Sequence, residues 1–82
     1  MPRRSIHTGD YKLFLQMLRA AREAAGVNQT SLAKRLGVTQ SALSKYERGE
    51  LRLDVVQTRR WCSALRLSFA AFMAEFDRQA NR

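Results

Sequence analysis

Residues 28–49 read NQTSLAKRLGVTQSALSKYERG. Two short helical patterns flank Gly37, and Gly49 closes the second. Asn28 is a natural N-cap for a helix from Gln29 to Leu36 that turns Leu32, Ala33 and Leu36 inward. Gly37 breaks the pattern, because glycine adopts positive φ without a steric penalty. Thr39 then caps a helix from Gln40 to about Arg48, whose only large anchors are Leu43 and Tyr46. A helix packed inside a core needs bulky apolar residues on its inner face. This one instead presents Gln40, Ser41, Ser44 and Lys45, with no carboxylate until Glu47. Such a face is either merely solvated or shaped to approach another polar surface closely.

The flanking segments repeat the helical pattern. Asp10 is a good N-cap for a first helix to about Ala25, with Phe14, Leu18 and Ala21 in an apolar stripe and Gly26 as the stop. Residues 50–53 read as a loop, and Asp54 caps Val55 to Leu65, with Trp61 and Leu65 on one face. Ser68 opens a fifth helix in which Phe69, Phe72, Met73 and Phe76 recur at helical spacing. No stretch alternates apolar and polar residues between turn signals, so strands are not expected. The expectation is an all-α fold of five short helices, a single domain over 10–79 with a short 80–82 tail. The basic residues 1–9 read as a disordered arm, with Arg3 and Arg4 reaching into a minor groove as the alternative.

Composition narrows the function. An 82-residue chain holds one domain with a modest core, which makes a partner subunit plausible. Fifteen Lys and Arg against seven Asp and Glu give a net charge of +8. That balance points to a polyanion, with nucleic acid ahead of an anionic membrane. No run approaches the roughly 18 apolar residues needed to span a bilayer. Glu75 and Asp77 against Arg78 and Arg82 make the fifth helix a poor fit to anionic lipid, so no membrane partner is expected. The start MPRRSIHTGD lacks the apolar stretch of a secretory signal, and a lone Cys62 fits a reducing cytoplasm. One histidine, His7, and one cysteine cannot build a zinc site; no metal, cofactor or catalytic residue is expected.

A polar helix matches one polyanion in particular. The B-DNA major groove is about 12 Å wide and admits one α-helix. Glutamine matches the adenine N6 and N7 edge, lysine matches guanine O6 and N7, and small side chains permit close approach. The positive end of the helix dipole favours phosphate.

The stretches LRAAREAAGVNQ, SLAKRLGVTQSALSKYERG and CSALRLSFAAF occur in this order between about Leu18 and Phe72. In them the chain resembles the phage-repressor and Cro-like, Xre-type helix-turn-helix family. The resemblance implies a five-helix bundle of the phage-repressor DNA-binding-domain type, with the helix-turn-helix at about 29–48. By position it implies base contacts from Gln40, Ser41 and Lys45. It implies backbone contacts or bracing from Asn28, Gln29 and Thr39, with Gln29 supporting the first recognition residue. Arg48 and Arg52 flank the end of the recognition helix and are expected on phosphates, whereas Arg35 reads equally as surface charge. Arg22 and Glu47 match a partly buried salt bridge between the first and third helices.

Two departures stand out: the loop ELRLD lacks a proline, and Arg66 replaces a family glycine. The function implied is a transcriptional regulator, more a repressor than an activator, that binds an inverted repeat as a homodimer. Met73 and Phe76 are the candidate dimer seam, or else they fold back on the first helix beside Tyr11 and Phe14. The alternative function is an antitoxin whose C-terminal helix occupies a toxin.

Overall fold

A computed structural model describes residues 8–81. The helices are α1 (Gly9–Ala24), α2 (Gln29–Leu36), α3 (Gln40–Glu47), α4 (Val55–Ala64) and α5 (Phe69–Ala80), with no strand among the described residues. Their starts follow local chemistry. Asn28, Thr39, Asp54 and Ser68 each accept a hydrogen bond from the amide three residues on, which satisfies a helix donor that would otherwise face water alone. At α4 Gln57 returns the bond to the Asp54 amide and completes a capping box.

The first helix corrects the expected cap. Thr8, not Asp10, is the N-cap, its hydroxyl accepting from the Tyr11 amide at 3.3 Å. Asp10 falls instead in the first turn, where its charge faces the positive end of the helix dipole. Gly9 is therefore already helical, while Arg3, Arg4 and His7 of the expected arm lie outside the described residues. At the other end Asn81 caps α5, and Arg82 lies outside the described residues.

Gly37, at φ 73°, makes the tight turn that swings α3 across α2. Arg66 makes a turn of the same hand, at φ 60°, between α4 and α5. The Arg66 and Leu67 amides bond the Ser63 and Cys62 carbonyls at 3.0 and 2.8 Å, so the turn of the family glycine is kept with an arginine in it. An L-residue in that conformation costs about 1 kcal/mol.

The core is one cluster. Leu18, Leu32, Leu43 and Cys62 are fully buried, with Tyr11, Phe14, Leu53, Trp61, Leu65 and Phe72 around them. Helix α1 packs on α3 and α5, α2 on α3 and α4, and α4 on α5. Phe14 meets Phe72 and Phe76 edge-on, at ring-centre distances of 6.2 and 5.9 Å. Phe76 thus folds back on α1, and half-buried Met73 joins the same cluster. The Cys62 thiol is pushed above its usual pKa by burial, as befits a small core residue.

Candidate nucleic-acid interface

The site starts inside the domain. Arg22 of α1 donates through Nε and Nη2 to the two carboxylate oxygens of Glu47 at the end of α3, at 2.7 and 3.2 Å. Its third nitrogen, Nη1, donates to the Val27 carbonyl at 2.9 Å. Only 9% of the Arg22 side chain and 4% of the Glu47 side chain are exposed, so water cannot substitute for either partner. A planar guanidinium against a carboxylate is the strong, directional form of ion pair.

From this pair a chain of hydrogen bonds runs outward. Gln29, the first residue of α2, donates its amide nitrogen to Glu47 Oε1 at 2.9 Å. Gln40, the first residue of α3, donates to Gln29 Oε1 at 2.7 Å. The order is dictated by chemistry. A carboxylate can only accept, so the Gln29 amide nitrogen must face Glu47 and its oxygen must face Gln40. Gln40 therefore keeps its own carbonyl oxygen and one N–H free. Those two groups are the acceptor and donor that the adenine edge requires.

Ser41 and Lys45 are exposed on the same helix, and their side chains make no hydrogen bond or ion pair among the described residues. Asn28 Oδ1 accepts from the Ser31 amide at 2.8 Å and Thr39 Oγ1 from Ala42 at 3.0 Å, so both expected backbone residues are first of all helix caps. They stand at the N-terminal ends of α2 and α3, where the dipoles present positive charge outward.

The two flanking arginines are engaged rather than free. Arg48, the C-cap of α3, pairs with Glu50 at 2.9 Å and donates to the Ser44 hydroxyl. The Arg48 hydrogen bond, reinforced by its charge, holds the Glu50 carboxyl below the usual range. Arg52 lies over the Tyr11 ring, 4.6 Å from its centre. Tyr11 also accepts from the Leu53 amide through its hydroxyl, at 3.0 Å. Tyr11 therefore ties α1 to the α3–α4 loop and props Arg52, a role the sequence reading missed. Its place on the α1 stripe predicts burial, but the partner of its hydroxyl lies 42 residues away and leaves no local signal. Two further polar contacts were equally silent. Gln57 donates to the Tyr46 hydroxyl at 3.1 Å, and Arg35 donates to the Ala64 carbonyl at 2.8 Å, at the end of α4.

Residues 18–72 match the model of the helix-turn-helix family. A search of curated proteins gave no match. Among solved structures, the chain is similar to an XRE-family like protein from Pseudomonas syringae pv. tomato str. DC3000. The two are 38% identical over 90% of each chain, with a TM-score of 0.84. It is also similar to an HTH_3 family transcriptional regulator from Vibrio cholerae, at 28% identity and a TM-score of 0.67. That match covers 78% of this chain and 36% of the regulator. With its turn at Gly37 and the polar α3 beside it, the chain belongs to the Xre-type helix-turn-helix family.

Proposed function

We propose that the protein is a sequence-specific regulator of transcription that lays α3 in the major groove of double-stranded DNA. The relay from buried Arg22 through Glu47 and Gln29 to Gln40 carries this reading. A solvated surface glutamine has no need of such a brace, whereas a base-reading amide must be held in one orientation before it meets DNA. Gln40, Ser41 and Lys45 supply sequence choice in this reading. Asn28, Gln29, Thr39, Arg48 and Arg52 position the domain on phosphates. The net charge of +8 supports the same partner.

A homodimer follows from how few base pairs one such helix can read. Two copies of α3 about 34 Å apart would demand an inverted repeat with half-sites ~10 bp apart. Repression is the simpler outcome, since occupancy of a promoter site alone accomplishes it. Met73 and Phe76, half-buried on α5, are the candidate seam, and exposed Val55 flanks the same groove.

Binding-site selection from a random duplex library at ~0.1 M salt, where diffuse attraction is partly screened, tests the whole reading. Enrichment of an inverted repeat is the expected result. Salt-sensitive binding to every sequence without enrichment would refute base reading by α3.

A further inference from the structure

The ends of α2 and α4 and the turn into α5 enclose a surface recess of about 520 Å³. Its size falls within the roughly 300–1,000 Å³ of small-ligand sites. Four arginines line it: Arg35 from α2, Arg59 and Arg60 from α4, and Arg66 from the turn. All four residues are exposed. Arg35 is tied to the Ala64 carbonyl. The side chains of Arg59, Arg60 and Arg66 make no hydrogen bond and no ion pair among the described residues.

The chain has seven carboxylate side chains, and none of them lines the recess. Four are committed to Arg19, Arg22, Arg48 and Arg78 elsewhere. The C-terminal ends of α2 and α4 contribute partial negative charge, but only about half a unit each against four full positive charges. No carboxylate among the described residues balances the charge in the recess, which leaves it open to an anion from solution. Arg66 adds a separate sign. It holds the left-handed conformation at φ 60°, where glycine is free of strain, and backbone strain kept at one residue is a mark of function. Leu67 and Phe69 give the same recess apolar surface.

We propose that this recess binds a small phosphate-bearing anion of at least two negative charges, with an apolar body against Leu67 and Phe69. Guanidinium groups grip phosphate oxygens in pairs, and four in one recess suit a doubly charged or longer phosphate ester. Arg59, Arg60 and Arg66 provide the grip. No residue of α3 lines the recess: Arg35 and Leu36 end α2, Arg59 and Arg60 lie midway along α4, and Ser63 and Ala64 end it.

Titration calorimetry with inorganic pyrophosphate, in ~0.15 M KCl where exposed charges are screened beyond about 8 Å, reads the site directly. The native chain should bind one pyrophosphate saturably. Arg59→Ala and Arg66→Gly should each weaken it about tenfold or more, the worth of a charged hydrogen bond. Arg66→Gly also removes the left-handed strain and should melt no lower than the native chain, which separates loss of ligand from loss of fold. The double variant Lys45→Ala with Arg52→Ala should bind pyrophosphate unchanged. Equal weakening by that double variant, or heats that never saturate, would reduce the effect to net charge and overturn the proposal. So would a fall of about one unit in the salt slope for duplex DNA in Arg59→Ala and Arg66→Gly, which would place the recess on the DNA backbone instead.

Discussion

Replacing Glu47 by glutamine tests the foundation of the relay. The side chain keeps its size and one oxygen, but the charge opposite Arg22 is lost. With 9% and 4% of the two side chains exposed, solvent cannot make up the difference. Removing one partner of a buried pair costs about 3–5 kcal/mol. The lower end applies, because Arg22 keeps the Val27 carbonyl and can still use the amide oxygen. Each kcal/mol moves the melting point of a domain this size by about 4–8 °C, so a loss of about 3 kcal/mol predicts a fall of ~12–24 °C. Circular dichroism melts at neutral pH should show it, with a lower urea midpoint and an unchanged m-value. Replacing both residues together, Arg22→Met with Glu47→Leu, should restore most of the stability, since an apolar pair of similar volume carries no desolvation cost. It should not restore DNA sequence preference, because Gln29 loses its anchor. A loss under about 0.5 kcal/mol for Glu47→Gln would refute the reasoning, since only an exposed pair is worth so little.

Gln29→Ala should lower affinity for the selected site by about 1–2 kcal/mol while leaving random duplex nearly untouched; combined with Gln40→Ala the effects should not add, because the two amides act as one unit. Competition against random DNA measures both. Glu50→Gln should free Arg48 and remove a negative charge beside the expected phosphates, so non-specific binding should tighten and its salt slope steepen by about one unit. An unchanged slope would take Arg48 out of contact with DNA. The Glu75 carboxyl, held down to about 2 chiefly by its hydrogen bond from Arg78 and then by Gln79, should show that midpoint in an NMR titration. Because the folded value lies below the unfolded one of about 4.3, the contribution is present above that value and lost as pH falls towards 2. Arg78→Ala should raise the midpoint and flatten that part of the acid melting profile.

Much of the fold is written locally. A cap needs a side-chain oxygen and an amide three residues on, and a stop needs a residue content with positive φ. Asn28, Thr39, Asp54 and Ser68, with Gly26 and Gly37, therefore mark element ends that the structure keeps. Where two caps compete, local chemistry does not choose: Thr8 and Asp10 can both accept, and Thr8 wins with the longer helix. The polar face of α3 was equally legible, since a face is a property of spacing alone.

Partners are another matter. Arg22 and Glu47 stand 25 residues apart, and their pairing came from family resemblance rather than from any local pattern. The orientation of the Gln40 amide depends on that pair, so no reading of α3 by itself could supply it. Phe76 packs edge-on against Phe14 because of how α5 crosses the bundle, which the spacing within α5 does not specify. The arginines at 35, 59, 60 and 66 look like scattered surface charge until α2, α4 and the Arg66 turn bring them to one recess. Sequence periodicity determines which residues share a face, because that depends on the pitch of a single helix. Which faces and side chains then meet depends on how five helices share one core, and only the tertiary structure decides it.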